Sequence, residues 1–200
     1  MNKINPIKTI NSTTISVDLM GGDAYPDDRL ETVLSVLKSH LDINFRVFLS
    51  TSYLNTITHR IHLLDKNRIV FIGCGRSVSM EESPFSALRQ KRDSSLSLAI
   101  KDVAENKSNV CVTAGNTGAM VALAKHWLNP MSDIEKPVLA TLLPSKSKRA
   151  LLLDVGATID ARAYDLYNFA RLGSAWQQVV YGINKPEVTL LNVGLENNKG

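Results

Sequence analysis

The chain has 200 residues, 44% hydrophobic and 21% charged, with 23 Lys and Arg against 19 Asp and Glu for a formal charge of +4. That length can bury one sizeable core, and the composition excludes disordered, collagen-like and disulfide-framework proteins. The mild positive excess suits an anionic substrate or an acidic partner; the basic residues are not interleaved with aromatics, so nucleic acid is not an expected partner.

Residues 1–13 are polar, lack the apolar stretch of a signal peptide and are expected to form a disordered tail, leaving 14–200 as one α/β domain. Ile15–Leu19 is a short apolar run, read as a strand. Residues 27–41 then place Leu30, Val33, Leu34, Leu37 and Leu41 at helical spacing, with Asp28 and Glu31 spaced for a capping box. A strand over 45–50, a helix over Tyr53–Leu64 and a strand over 68–73 follow. Gly75–Pro84 is a long break, and the segment up to Asp93 reads as loop. Ser94–Asn106 is a helix on Leu96, Ala99, Ile100 and Val103; Val110–Thr113 is a strand and Thr117–Leu128 a helix. After a second break at Asn129–Pro137, Val138–Leu143 and Ala150–Val155 read as strands, Arg162–Tyr181 as a long helix and Val188–Val193 as a last strand. Strands alternating with helices indicate an α/β protein with a mainly parallel sheet. A parallel strand needs both faces covered, so the final strand with no following helix leads us to expect an architecture incomplete at its C-terminus.

No run approaches the roughly 20 apolar residues of a membrane span. Cys74 and Cys111 sit in apolar strand contexts and are expected to be buried free thiols in a reducing cytoplasm. His59 and His62 lack a third ligand and read as surface residues; His126, beside Trp127, reads as packing or surface. No metal or cofactor is expected. The 73–78 stretch lacks the third glycine of a dinucleotide fingerprint, and neither a P-loop nor a G-x-S-x-G elbow is present.

Ligands of open α/β sheets bind outside the carboxyl ends of the strands. Four glycine-containing corners fall there: Asp18, Gly21, Gly22 and Asp23; Gly115, Asn116, Thr117 and Gly118; Asp154 and Gly156; Asn192, Gly194 and Lys199. Glycine allows close approach to a ligand, and a helix starting at Thr117 would aim free N–H groups and its positive dipole end at the rim. Together these predict a phosphate or oxyanion site. A second cluster, Arg89, Lys91 and Arg92 followed by Asp93, Ser94 and Ser95, admits two readings. One is a site for phosphate or a phosphorylated carrier; the other is a solvated basic turn with Asp93 as helix cap.

The segments SVDLMGGDAYP, SALRQKRDSSL, VCVTAGNTGAMVALAK, LLLDVGATID and NVGLENNKG occur in this order. With them the chain, from Ile15 to Gly200, resembles the bacterial phosphate acyltransferases. The resemblance implies a three-layer α/β/α fold like that of phosphotransacetylases and isocitrate/isopropylmalate dehydrogenases. It further implies transfer of a fatty acyl group from acyl carrier protein to inorganic phosphate, giving acyl phosphate for phospholipid synthesis. A cytoplasmic homodimer, peripherally associated with the inner face of the membrane, is implied as well. Leu19, Ser83, Thr158 and Leu195 depart from the family pattern. The expected catalytic residues are Asn116, Lys199 and Asp154. Asp18, Gly21, Gly22, Asp23, Arg89, Lys91, Ser94, Ser95, Gly115, Thr117, Gly118, Gly156, Asn192 and Gly194 are expected to bind substrate. Two alternatives stand beside this: a binding module without turnover, and a phosphotransacetylase using acyl-CoA.

Overall fold

The computed structural model describes residues 12–61, 67–131, 133–144, 150–158 and 160–191. The chain divides into two compact units, Met1–Asn129 and Pro130–Gly200. The first contains β1 (Thr13–Asp18), α1 (Pro26–Ser39), β2 (Ile43–Ser50), α2 (Thr51–Ile61), β3 (Ile69–Cys74), α3 (Pro84–Gln90), α4 (Ser95–Ala104), β4 (Val110–Thr113) and α5 (Thr117–Trp127). Its strands lie in the order β3-β2-β1-β4, all parallel, with Val17 opposite both Val47 and Val112.

Alternation along the strands sends successive side chains to opposite faces. On one face Val17, Phe45, Val47, Leu49 and Ile69 pack with Leu30, Val33 and Leu37 of α1 and Ile57 of α2. On the other, Phe48 and Cys74 meet Ala99 of α4, and Ser16 Oγ donates to the Ala99 carbonyl at 2.8 Å. Beyond α4, Val78, Ala87, Leu96, Ile100, Ala119 and Leu123 join α3, α4 and α5 in a further core. Helices thus cover both faces of a parallel sheet, the three-layer α/β/α arrangement. Asp102 of α4, buried, ties that helix to β2 by accepting from Arg46 Nε at 2.8 Å.

Three local expectations are corrected. Helix α1 begins at Pro26, and its cap residue Tyr25 makes no side-chain cap bond, so Asp28 and Glu31 form no capping box at its start. A proline at the first helical position supplies the fixed φ and lacks an N–H that would otherwise be orphaned. The segment 84–90, read as loop, is helix α3. Ser83 caps it by accepting from Ser86 N at 3.2 Å, and Pro84 opens it in the same way. Finally, α4 is capped by Ser94 rather than Asp93, its Oγ accepting from Ser97 N at 3.2 Å.

The second unit contains β5 (Ala140–Leu143), β6 (Ala150–Leu153) and α6 (Ala163–Tyr181). β5 and β6 form their own antiparallel pair, Ala140 opposite Leu153, instead of extending the parallel sheet. The short connection between them is too brief for the crossover that parallel neighbours require. Residues 188–191, expected to be strand, belong to none, and 192–193 lie outside the described residues. Helix α6 packs on β6 through Gly173, where a Cβ would stand 2.8 Å from Leu153 Cδ1. At its start Asp165 Oδ2 accepts from the Arg162 backbone N–H at 3.0 Å, and it ends at Gly182 in the left-handed region, φ 65°. Arg162 first, and Lys136 at 2.8 Å second, hold the Asp165 carboxyl well below the usual carboxylate range. A cavity of about 530 Å³ lies within this unit, walled by Leu151, Leu153, Phe169, Gly173, Val188 and Leu190 among others.

Both cysteines are free; Cys74 is buried and Cys111 half-buried, and burial pushes each thiol up to about 11. Of the expected tail, 1–13, residues 1–11 lie outside the description, as do the side chains of His59 and His62, whereas Thr13 opens β1. Among the described residues no helix is long and apolar enough to cross a membrane.

Candidate functional site: the rim where β1 meets β4

After β1 the chain runs through α1 to β2 on one side; β4 returns to the other side of β1 and leads into α5. Two neighbouring strands whose connections diverge make the topological switch point at which open α/β sheets hold ligands. Asp18 ends β1 there, buried among three donors. Ser95 Oγ donates to its Oδ1 at 2.6 Å, Thr113 Oγ1 to its Oδ2 at 2.8 Å and Met20 N to Oδ1 at 3.3 Å. Thr113 Oγ1 in turn accepts from Gly115 N at 3.0 Å. One carboxyl therefore links the ends of both strands to the first turn of α4.

The glycines of the two corners interlock. A Cβ on Gly21 would meet the Asp18 carboxyl and stand 2.9 Å from Gly115 Cα, and one on Gly115 would stand 3.1 Å from Gly21 Cα. Gly22 has φ +95° and runs against the Ala114 carbonyl, 2.7 Å from where a Cβ would lie. Two backbones in contact leave no room for side chains, so these glycines serve chain-to-chain approach. From the sequence alone that purpose cannot be told from approach to a ligand.

Asn116 caps α5: its Oδ1 accepts from Ala119 N at 2.9 Å. Its Nδ2 donates to the carbonyls of Ser79, Met80 and Glu82 at 3.1, 2.9 and 2.8 Å. The side chain is buried and its polar atoms are engaged in protein bonds; it staples the 79–82 loop to the rim. Thr117 and Gly118, the next two residues, are exposed. As the first two helical residues they have N–H groups with no intrahelical partner, at the positive end of an 11-residue helix. Gly118 is a glycine because α3 lies against it, 2.9 Å from a Cβ to Pro84 Cγ.

The basic cluster is divided. Lys91 Nζ donates to the Ser77 carbonyl at 2.8 Å and pairs with Glu82 at 2.5 Å, and this partner holds the Glu82 carboxyl below its ordinary range. Arg89 is exposed with its guanidinium 5.2 Å from the Phe85 ring centroid. Ser94 and Ser95 are buried, one capping α4 and the other bonded to Asp18. Asp23 is exposed.

The first unit thus brings Asp18, Gly21, Gly22, Ser95, Gly115, Asn116, Thr117 and Gly118 to one rim. Asp154 and Gly156 belong to the other unit. There the Asp154 carboxyl accepts from the backbone N–H groups of Leu139, Ala157 and Thr158 at 3.0, 3.2 and 2.6 Å. Gly156 has φ +113°, which explains the glycine. Asn192, Gly194 and Lys199 lie outside the described residues. Sequence reasoning missed Thr113, whose place as last residue of a strand at the rim was a usable signal, and Glu82, for which the sequence holds none.

A family model described as "Fatty acid synthesis protein" matches residues 13–200. The phosphate acyltransferase of Agrobacterium fabrum is 40% identical over 187 residues, 93% of this chain and 53% of its own length. That of Pseudomonas savastanoi pv. phaseolicola is 34% identical over 191 residues, 96% of this chain and 56% of its own. That of Psychromonas ingrahamii is 36% identical over 192 residues, again 96% and 56%. The chain spans about half the length of the curated relatives it matches. With that family model matching residues 13–200, the chain belongs to the fatty acid synthesis protein family.

Proposed function

We propose that this chain carries the phosphate-holding part of a phosphate acyltransferase, which moves a fatty acyl group from the thioester of acyl carrier protein to inorganic phosphate. A phosphate oxygen forms a bond to the acyl carbonyl carbon, the carbon–sulfur bond breaks, and the departing carrier thiolate takes a proton. Phosphate is a competent nucleophile at neutral pH, so the work of the protein is to position it and to stabilise the tetrahedral oxyanion. The observation that carries the reading is the exposed start of α5 at Thr117, set at the β1–β4 switch point and built from the motif the family resemblance rests on.

The Thr117 and Gly118 N–H groups and the Thr117 hydroxyl are assigned to the phosphate. Asn116 and Asp18 are assigned to positioning, since their polar atoms are taken up by protein partners. Asp154 holds its own loop in the same way. Lys199 is assigned to neutralising phosphate charge, and Asn192 and Gly194 to binding substrate, on the sequence alone. Homodimer formation and peripheral membrane association belong to the proposal through the family resemblance.

Incubation of the chain with acyl carrier protein thioester, phosphate and hydroxylamine tests the reading, since acyl phosphate is trapped as the hydroxamate. Phosphate-dependent hydroxamate is the expected result. The span of about half a relative's length favours a second reading, a binding module without turnover. Phosphate binding without hydroxamate selects that one, and absence of both contradicts both.

A further inference from the structure

Helix α3 stands out as an unpartnered surface fastened to the rim. Phe85 is 65% exposed and Met80 45% exposed; Tyr25 and Leu41, more exposed still, lie on other elements and have no such arginine cluster in their segments. Arg89 lies one turn from Phe85 with its guanidinium over the ring. Arg92 follows, exposed, its Nε donating only to the Leu88 carbonyl at 3.1 Å. Arg76, also exposed, pairs by its backbone with Ser94, two residues beyond Arg92. Among the described residues none of these three arginines forms an ion pair, whereas Lys91 between them is bound to Glu82. Of the acidic residues of the segment, Glu81 and Glu82 precede α3 and Asp93, exposed, follows Arg92, so the C-terminal end of α3 carries Arg89, Lys91 and Arg92 against one carboxylate. Free guanidinium groups flanking an exposed aromatic ring are the surface an acidic, amphipathic partner fits: carboxylates take the bidentate guanidinium donors and an apolar side chain covers the ring.

The position of this surface gives it a use. Asn116, the cap of α5, bonds to three carbonyls of the loop that enters α3, and Pro84 packs on Gly118. A partner seated on α3 is therefore held in fixed geometry next to the exposed Thr117. We infer that the α3 face formed by Phe85, Arg89 and Arg92 is the docking surface for the acidic carrier protein that brings the acyl thioester to the rim. This rests on the function proposed above and adds the surface through which the donor is recognised.

Fluorescence anisotropy of a labelled bacterial holo-acyl carrier protein, titrated with this chain, tests it; phosphorus NMR of inorganic phosphate on the same samples reads the rim independently. Arg92→Glu is expected to weaken carrier binding at least 10-fold and Phe85→Ala about 5-fold, with phosphate binding unchanged. Lys125→Glu, at the opposite end of α5, should change it less than 2-fold. Binding by the wild type should fall steeply with added salt. All the substituted side chains are exposed, and circular dichroism checks that each variant folds. Carrier binding unaffected by the α3 variants overturns the docking surface and leaves the function standing, as does a DNA duplex bound as tightly as the carrier. Self-association lost in Phe85→Ala, without carrier binding by the wild type, would make the face a contact between copies and likewise overturn the inference. Loss of phosphate binding in the wild type instead removes the function on which it rests.

Discussion

Asn116, placed by motif as a reacting group, has its polar atoms bonded within the fold. Its carbonyl oxygen caps the start of α5, and the two hydrogens of its amide are shared among three carbonyls of a loop. Asn116→Ala should destabilise the first unit by about 1–2 kcal/mol, from the lost cap and the lost bonds to the partly exposed 79–82 loop. Asn116→Ser retains a capping oxygen and should recover about 1 kcal/mol of that. Urea midpoints at constant slope read both; a neutral Asn116→Ala would refute the stapling role. The cysteines give a second residue-scale expectation. With both thiols raised to about 11, alkylation of the native chain should be slow at pH 7 and climb toward pH 11, against fast reaction in urea. Rapid labelling at neutral pH would contradict their burial.

At the scale of elements, the corners after β1 and β4 behave as one object because two glycine backbones touch. Gly21→Ala should cost about 1–3 kcal/mol through overpacking against Asp18 and Gly115, measured by thermal or urea unfolding. Helix α6 offers a pH test. Arg162 and Lys136 lower the pKa of Asp165 in the fold, so its stabilisation is present above the ordinary carboxylate value of about 3.9 and is lost as pH falls toward the depressed one. Asp165→Asn should therefore be less stable than the wild type at pH 7, and the gap should narrow progressively below about pH 4. A gap that is constant with pH would show that the charge contributes nothing. Legibility also varied by element. The long periodic helices over 26–39 and 163–181 and the strands of the parallel sheet were plain in the apolar spacing. The short α3 was hidden because its seven residues span less than two turns, too few to display a period; Ser83-Pro84 was the one local sign of it. The β5–β6 pair was recognisable as strands, but its direction depended on connection length rather than on strand composition.

At the scale of the whole molecule, the strand order β3-β2-β1-β4 converts distant sequence into a site: Asp18 and Thr113 are 95 residues apart and share a hydrogen bond. The glycine corners of the first unit could be paired from the sequence because parallel α/β sheets gather loops at one end. What could not be read was which polar groups remain free. Asn116, Asp18 and Lys91 look alike in sequence to groups awaiting a ligand, and each is taken up by partners that only the folded chain supplies. The exposed start of α5 is what is left, and the account rests on it. Thr117→Pro probes it directly, because proline at the first helical position removes an N–H and the hydroxyl while preserving the helix. The preceding Asn116 already has the extended backbone, φ −60° and ψ 113°, that a following proline requires. Phosphorus NMR titration of inorganic phosphate against the wild-type chain and Thr117→Pro should give saturable binding in the first and at least 10-fold weaker binding in the second, at equal stability. Equal affinity in the two proteins, or no saturable binding to the wild type, would contradict the phosphate rim.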